Sequence, residues 1–469
     1  MRMPRGLKFI VLSLLSSLLL IAAGCSQKGG SGGGGNAAAA VGFLRVVNTV
    51  EDAPVLMATV GGASAGSVGY RESTALGQQA PATVSVDVTY VDPISAATVK
   101  LFTAVSVQLR ADHVVSLVLK GTMAAPTSQI VDEAAEKLAA TEAQVQFLNA
   151  STAGNLAIYL TAVGAALPAT PTATLNTGIA STTMKITASN TLRLRVTRAG
   201  AAGLIYDSAS FPIVAAARRL ILVTDSFGPD PASVGTLVLS ESATLALPNT
   251  VARAGVRVLN AVPDQVSVTE TLTDRTAMAT IGSANTVLAQ NALTALTVLA
   301  PTSVSVHTTA ASDAALTFDS SVFTLLEDSV QTIVLAGTSI SPRRQAAAII
   351  TSDRRPVKTN SRLQFINAAR ASTNTVDVYF VDPAHTLEST TAPALTNLSF
   401  LSNGTTLVTP NRFDIYVTTP GSKSVIVGPT RVTTEAGKSY FLVLGESTSG
   451  GEPLFLTVID DTNAIPPAP

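Results

Sequence analysis

Side chains that could perform catalysis or bind a metal are sparse in this sequence of 469 residues. The three histidines are His113, His307 and His385, and none has a second histidine near it in the sequence. A metal site built on them would therefore need ligands to converge from distant segments. We predict that all three lie at the surface or at strand ends, and that the chain binds no metal and no cofactor.

The adjacent acidic pairs do not form a metal-binding motif either. They are Glu51–Asp52, Glu327–Asp328 and Asp460–Asp461, each at a predicted strand end or turn. A calcium loop places oxygen ligands at alternating positions, and no such run occurs in the sequence. We predict that these pairs are solvated charges on turns.

One GxSxG string, centred on Ser64, lies in the Gly-rich stretch 61–69. This string marks a nucleophile only at a strand–turn–helix elbow, and no helix is predicted after it. We therefore predict no catalytic residue and expect the protein not to be an enzyme. The alternative that remains open is an envelope enzyme with a loop-borne hydrolase site in one domain or at a domain junction.

Aromatic side chains are too few to predict a sugar-stacking surface, since the chain has no Trp and seven Tyr. Tyr159 and Tyr379 occupy corresponding predicted strands, and Tyr440 begins a predicted core strand. We expect these rings to pack in cores or at their rims. Recognition of a glycan by polar loops remains possible.

Cys25 is the only cysteine, which excludes a disulfide and a cysteine metal site. It follows a basic segment and the apolar run 9–23, which has the length of a signal peptide and is short for a membrane span. The string "AAGC" resembles the lipobox of bacterial lipoproteins. The resemblance implies cleavage before Cys25 and lipidation of its thiol. Because Ser26 follows and not Asp, we expect export and anchoring to the outer membrane, facing the periplasm or the cell surface.

The charge balance argues against nucleic acid as a partner. The 30 basic and 31 acidic residues become 27 and 31 once the three basic residues of the signal are removed, and no basic run occurs. The expected partners are the membrane, through the lipid anchor, and an envelope protein or glycan.

A short string recurs four times and sets the organisation of the chain. It is "LRVVNT" at 44–49, "VQFLNA" at 145–150, "VRVLNA" at 256–261 and "LQFINA" at 363–368, so that Asn48, Asn149, Asn260 and Asn367 are separated by 101, 111 and 107 residues. These spacings are the size of whole domains. We predict that the four Asn are structural turn residues, because Asn bonds to nearby backbone; a shared ligand site is the alternative.

Four further strand-like runs follow each Asn in the same order. The runs after Asn149, for example, are "LAIYLTAVG", "TLRLRVT", "LILVTDS" and "TLVLSES". Their alternation predicts one buried and one solvent-facing side, with Leu194 and Val196 inside and Arg193, Arg195 and Thr197 outside. The fold class predicted is all-β, with four tandem immunoglobulin-like antiparallel β-sandwich domains. The stretch 132–143 is the exception and predicts a short helical linker.

The strings "LRVVNTVEDAPV" (44–55), "VRVLNAVPDQVSV" (256–268) and "TEAGKSYFLVLG" (434–445) resemble the bacterial domain of unknown function 4397 family. That resemblance implies secreted or lipid-anchored β-sandwich domains, often in tandem. It implies no catalytic motif.

The predicted organisation has seven parts. They are a signal peptide (1–24), the lipidated Cys and Gly-rich tether (25–40), repeat 1 (41–141), repeat 2 (142–252), repeat 3 (253–358), repeat 4 (359–463) and a Pro-rich tail (464–469). Four domains of this size in line would reach about 130 Å. We predict a non-catalytic, lipid-anchored envelope protein that acts as a binding or spacer module, with recognition through the loops 61–82, 164–190 and 383–396.

Overall fold

The computed structural model describes residues 40–134, 137–230, 233–339, 345–370 and 375–462, except for the side chains of residues 284 and 285. Every regular element in these ranges is a β-strand, so the prediction of an all-β chain is confirmed. The five strands predicted in each repeat are all present. Further short strands lie between them, and residues 40–469 form one compact unit.

Repeat 1 contains nine strands. They are β1 (Gly42–Val50), β2 (Leu56–Val60), β3 (Ala63–Val68), β4 (Glu72–Ser73), β5 (Gly77–Gln79), β6 (Thr83–Val91), β7 (Thr98–Gln108), β8 (Val114–Thr122) and β9 (Ala125–Glu133). The first sheet has the order β4-β1-β8-β9, with β5 also paired to β1, and the second sheet has the order β3-β2-β6-β7.

Repeat 2 contains ten strands. They are β10 (Glu142–Asn149), β11 (Leu156–Ala162), β12 (Ala173–Leu175), β13 (Met184–Thr187), β14 (Ser189–Arg198), β15 (Leu204–Asp207), β16 (Phe211–Ile213), β17 (Arg218–Asp225), β18 (Val234–Leu239) and β19 (Thr244–Leu247). The first sheet has the order β13-β10-β17-β18-β19. The second has the order β12-β11-β14-β15, with β16 also paired to β14.

Repeat 3 contains nine strands. They are β20 (Ala254–Asn260), β21 (Ser267–Asp274), β22 (Ala279–Ala289), β23 (Thr297–Leu299), β24 (Ser303–Ala310), β25 (Asp313–Asp319), β26 (Phe323–Thr324), β27 (Val330–Ala336) and β28 (Ala346–Ser352). The first sheet has the order β23-β20-β27-β28. The second has the order β22-β21-β24-β25, with β26 also paired to β24.

Repeat 4 contains eight strands. They are β29 (Ser361–Asn367), β30 (Val376–Val381), β31 (Leu395–Leu398), β32 (Asn403–Val408), β33 (Arg412–Thr418), β34 (Val425–Thr433), β35 (Ser439–Gly445) and β36 (Phe455–Asp460). The first sheet has the order β32-β29-β35-β36, and the second has the order β31-β30-β33-β34.

An apolar core lies between the two sheets of each repeat, as alternation predicts. In repeat 1, Val46 and Leu117 of the first sheet belong to the same buried cluster as Val86 and Val88 of the second. In β24 of repeat 3, Val304 and Val306 are buried, while His307 is exposed. The β-branched residues at these positions favour strands because they pack well on a pleated, half-buried surface.

One sheet of each sandwich is mixed, which differs from the antiparallel pattern predicted. The strand that carries the repeated Asn runs parallel to the apolar strand that comes late in the same repeat, so the parallel pairs are β1–β8, β10–β17, β20–β27 and β29–β35. All other pairings are antiparallel. Strand direction is set by the path of the connecting chain, which local alternation does not encode.

The predicted helical linker at 132–143 is wrong. Asp132 and Glu133 pair with β8 as the end of β9, and Glu142 begins β10. The Glu133 carboxylate is buried against Arg45, so sheet pairing and this contact override the helix propensity of the sequence. Residues 135 and 136 lie outside the described residues.

The first sheets are covered on both faces, because the repeats pack in two pairs. Val47 and Val118 of repeat 1 share a buried cluster with Leu148, Leu220 and Leu237 of repeat 2. An equivalent cluster joins repeats 3 and 4. This explains why β20 is buried along its whole length. We call repeats 1 and 2 the first half and repeats 3 and 4 the second half.

Buried arginines at the same position of repeats 1 and 3 join the members of each half. Arg45 donates to the Glu133 carboxylate at 2.8 Å within repeat 1 and to the Ser240 carbonyl of repeat 2. Arg257 of repeat 3 forms a two-bond ion pair with Asp461 of repeat 4, with 2.9 Å between Nη2 and Oδ2. Within each half, buried ionic and polar contacts therefore join the two repeats.

The prediction that one side of β14 faces solvent is wrong for two of its residues. Arg195 is 4% exposed and Thr197 is fully buried, whereas Arg193 remains partly exposed beside Asp207. Arg195 donates to the Thr161 hydroxyl and to the Ala166 carbonyl, so the chain that follows β11 covers this face.

The two halves contact each other, and the first repeat touches the fourth. The Lys358 amide of the joint between repeats 3 and 4 donates to the Asp52 carbonyl at 2.8 Å. The Thr409 hydroxyl of repeat 4 donates to the Pro93 carbonyl of repeat 1 at 3.3 Å. A row of four domains would keep repeats 1 and 4 apart, so the in-line arrangement is wrong.

Candidate functional site at the junction of the repeats

The four repeated Asn side chains occupy equivalent positions and are fully buried. Each Oδ1 accepts a hydrogen bond from the amide two residues later, at 3.0 Å from Val50 after Asn48 and at 3.2 Å from Ala369 after Asn367. Residues Ser151 and Val262 provide the same contact in repeats 2 and 3.

The second contact of each Asn explains its position at the strand end. Nδ2 donates to a carbonyl of the edge strand of the second sheet, namely Val68 in repeat 1, Leu288 in repeat 3 and Leu398 in repeat 4. In repeat 2 the acceptor is Gly154. With both polar ends bonded inside the repeat, the side chain has no free group for a ligand. The structural role remains a prediction, which substitution tests below.

The other residues singled out from sequence do not come together. His113 lies 2.6 Å from an Asp132 oxygen, His307 lies 2.8 Å from an Asp319 oxygen, and His385 is exposed on a turn. Among the described residues, no group of three His, Cys, Asp or Glu side chains could hold a metal ion.

Ser64 lies on β3, an exposed edge strand, where a loop was predicted. The chain pairs there with β2 and continues to β4, so no nucleophile elbow forms. The stretch 61–82 thus contains three strands, and 164–190 contains two strands and the start of β14, so neither is the open recognition loop predicted from composition.

The three tyrosines are buried, as predicted. Tyr159, Tyr379 and Tyr440 are 8%, 2% and 7% exposed. The Lys423 ammonium lies 3.9 Å from the Tyr379 ring centre, which covers that ring with a cation. None of the three offers an open face to a sugar.

The prediction of solvated turn charges is wrong for Asp461, which is 5% exposed and accepts from both Arg257 and Arg354. Both members of the other two pairs, Glu51–Asp52 and Glu327–Asp328, are half-buried. Packing of one repeat on another removes these turns from water, and repeat packing is not visible in local sequence.

A cavity of about 570 Å³ lies where repeats 1, 2 and 3 meet the joint between repeats 3 and 4. Tyr70 and Arg71 line it from the turn between β3 and β4, and Phe227 lines it from the chain after β17. Asp328 lines it from the turn before β27. Residues 351–355, at the end of β28 and in the joint, complete the lining.

Aromatic and cationic groups hold this junction together. The Tyr70 ring packs edge-on against Phe227 with 5.5 Å between ring centres, and the Arg355 guanidinium lies 5.2 Å from the Tyr70 centre. The Tyr70 hydroxyl donates to the Asp225 carbonyl at 2.9 Å. Arg355 also donates to the Glu51 and Ala53 carbonyls, so this joint is fastened to repeat 1.

Two glycines permit the close approach of charged groups at this cavity. A Cβ at Gly235 would lie 2.8 Å from an Arg71 nitrogen, and a Cβ at Gly228 would lie 2.2 Å from an Asp328 oxygen. Arg71 donates to the Thr236 carbonyl at 2.8 Å, which places its guanidinium against repeat 2. Ser226 donates a short hydrogen bond to Asp328.

Three carboxylates at the junction have raised pKa values. Burial, reinforced by the Asp225 and Asp52 charges, raises the pKa of Glu51 to about 7. Burial also raises the pKa of Asp225 and of Asp328, although hydrogen bonds from Thr152 and Ser226 respectively oppose it. Charge in this region therefore depends on pH near neutrality.

Residues 42–159 match the family described as Domain of unknown function (DUF4397). The resemblance inferred from sequence is confirmed over this range. It spans the described part of repeat 1 and the first two strands of repeat 2 up to Tyr159. No curated protein matches the chain.

Two solved structures are similar at a distant level. The Bacillus anthracis TIE protein is 8% identical over 87% of this chain and 68% of that one, with a TM-score of 0.16. A "putative cell adhesion protein" from Bacteroides uniformis ATCC 8492 is 12% identical over 44% of this chain and 97% of that one, with a TM-score of 0.15. At such TM-scores neither likeness carries an argument.

The predicted lipidation residue, Cys25, lies outside the described residues. Within the described part of the chain, no helix is long and apolar enough to cross a membrane.

Sequence reasoning missed the cavity residues, because they come from four distant segments. One signal was available, since Arg354 and Arg355 are adjacent in a chain with only 13% charged residues. The preceding Asp353 pairs with Arg362 at 2.8 Å.

Proposed function

We propose that this protein is a non-catalytic, lipid-anchored envelope protein whose four sandwiches form a binding platform. The anchor is the Cys25 lipid, and outer-membrane attachment follows from Ser26. The partner is an envelope protein or glycan. The lipobox-like "AAGC" string and the preceding apolar run support anchoring and export.

The observation that carries the proposal is the interlocking of the repeats. The sheet-on-sheet clusters within each half, the buried Arg257–Asp461 pair and the contacts of Arg355 with repeat 1 fix the repeats relative to one another. A simple spacer requires only flexible or linear linkage. Fixed surfaces from several domains instead favour recognition of a partner at several points at once.

The enzyme alternative would place its site at the junction cavity, and the side chains there do not support it. Ser226 donates to Asp328, but a nucleophilic serine needs a base whose own orientation is fixed by a third group. None of the residues that line the cavity is a histidine. The arrangement is better suited to holding a polar ligand than to activating a nucleophile.

The proposal is tested with residues 40–469, which form the compact unit. Co-sedimentation of increasing concentrations with isolated envelopes should show saturable binding. The Asp461→Asn variant, which loosens the second half, should bind more weakly, and the surface variant Lys100→Gln should bind normally. A parallel screen for hydrolysis of envelope polymers should show no turnover.

Turnover that is abolished by one substitution in a single repeat would establish the enzyme alternative. Non-saturable envelope binding would contradict a binding platform and favour a spacer role. The same conclusion would follow if separated repeats bound envelopes as strongly as the intact unit.

A further inference from the structure

The junction cavity has the size of a small-molecule site and an unusual charge distribution. Its volume of about 570 Å³ lies within the range of ligand pockets, roughly 300–1,000 Å³. Three arginines, Arg71, Arg354 and Arg355, line it together with Asp328 and Asp353. Some of these charges already have a partner and others do not.

Arg354 and Asp353 each form an ion pair with a neighbouring side chain. Arg354 pairs with Asp461, which also pairs with Arg257. Asp353 pairs with Arg362. Together these contacts join three arginines to two aspartates.

Arg71 and Arg355 have no carboxylate partner among the described residues. Arg71 bonds to the neutral Thr236 carbonyl, and its buried Nε has no hydrogen-bond partner. Arg355 bonds to the Glu51 and Ala53 carbonyls and lies over the Tyr70 ring. Withdrawing an arginine from water is costly unless an anion compensates it.

The remaining polar groups on the lining are suited to a hydroxylated ligand. Ser329, Thr351 and Ser352 also line the cavity. The Ser329 and Ser352 hydroxyls donate to the Leu326 carbonyl and the Gln364 side chain, so their oxygens remain available as acceptors. Arginine forks match the two oxygens of a carboxylate or phosphate. Hydroxyls and backbone carbonyls of the joint match sugar hydroxyls.

We propose that the junction cavity binds a sugar unit that carries a carboxylate or phosphate group, with Arg71 and Arg355 holding the anionic group. This inference rests on the proposed function, because it names the ligand class of the binding platform. The Asp328 carboxylate shares the cavity with the anionic group of the ligand, and repulsion between the two negative charges lowers the affinity.

Calorimetric titration of the full chain in detergent tests this with three probes. Glucuronate and glucose 6-phosphate should bind, and glucose should bind at least about tenfold more weakly, the factor expected for one lost charge-assisted contact. The stronger of the two anionic probes distinguishes a carboxylate from a phosphate ligand. Binding should weaken as salt rises.

Substitutions then locate the site. Arg71→Gln and Arg355→Gln should each lower the affinity for the anionic probes by about tenfold and leave glucose unchanged. The matched control Arg275→Gln changes an exposed arginine of repeat 3 and should have no effect. Asp328→Asn should raise the affinity for both anions, a gain that a merely destabilised variant would not show.

Equal binding of the three probes, or no binding at all, would overturn the proposal, as would unchanged affinity in both arginine variants. If the chain binds envelopes saturably but binds neither anionic probe, the proposed function stands and only this ligand site is refuted.

Discussion

The buried ion pair between repeats 3 and 4 gives the sharpest test of the packing within a half. The Arg257 and Arg354 side chains are 2% and 4% exposed, and both bond to the Asp461 carboxylate. Asp461→Asn would leave two buried guanidinium groups without a counter-charge. We expect a loss of about 3–5 kcal/mol in the free energy of unfolding of the second half.

The milder perturbation is Arg257→Gln, which introduces the residue found at the equivalent position of repeats 2 and 4, Gln146 and Gln364. It leaves the Arg354–Asp461 pair, with balanced charge, in place. Its cost should therefore be about half that of Asp461→Asn. The double variant should cost less than the sum of the two single variants, because they share one network.

Scanning calorimetry of the 40–469 unit measures these differences. For a cooperative unit of about 200 residues, 1 kcal/mol shifts the melting temperature by about 2–4 °C. Asp461→Asn should thus lower the transition of the second half by roughly 6–20 °C. Lys100→Gln, at the exposed Lys100–Asp87 pair, should cause no resolvable shift. A larger loss of stability in Arg257→Gln than in Asp461→Asn would show that Asp461 is not the shared counter-charge of the two arginines. Strictly additive losses in the double variant would show that the residues do not form one network.

Four further outcomes are expected. Cys25→Ser should release the chain from the membrane fraction or block its processing, as seen by fractionation and immunoblotting, whereas a processed, membrane-bound variant would contradict the lipidation. Asn260→Leu should destabilise repeat 3 by about 2–4 kcal/mol in calorimetry, because three backbone groups lose a buried partner; an unchanged transition with lost envelope binding would instead indicate a ligand role. Because the pKa of Glu51 is raised to about 7, the folded state holds its proton more tightly. The contribution of this group to the free energy of unfolding should be fully present below about pH 4.5 and should be lost as pH rises from there to about 7. Glu51→Gln should remove this part of the decline. The same dependence of stability on pH in the variant would exclude Glu51 as its source. Limited trypsin digestion should cut first after the exposed Lys137 and late after Arg355, which is bonded to repeat 1, so early cuts after the arginines within β14 would refute the predicted domain limits.

The strands of each repeat could be predicted because their signal is local. Alternation in β6 and β24 and the apolar runs of β8 and β35 report which side chains enter a core. The direction of pairing could not be predicted, since the partner of β1 in the sheet, β8, lies about 70 residues away.

The sequence contains a signal for the pairing of repeats, but this signal is easy to misinterpret. The residue three positions before each repeated Asn alternates between arginine and glutamine, in the order Arg45, Gln146, Arg257 and Gln364. A charged residue in a half-buried strand suggests a solvent-facing side. Its burial follows only from the neighbouring repeat, which supplies Ser240 to Arg45 and Asp461 to Arg257.

Apart from the adjacent Arg354 and Arg355, the cavity could not be predicted, because its residues come together only through contacts between repeats. Tyr70, Phe227 and Asp328 each lie in a turn or connection that has no distinctive local pattern. Their proximity depends on the close approach allowed by Gly228 and Gly235. Sequence periodicity describes one sheet and carries no information about such contacts.

The contacts between repeats require that the four sandwiches form one fixed, compact platform. Small-angle X-ray scattering of the 40–469 unit tests it most directly. Compact packing of a chain of this length predicts a radius of gyration of about 22 Å. Four separate domains arranged in a row of about 130 Å would give roughly 40 Å, and that result would contradict the account.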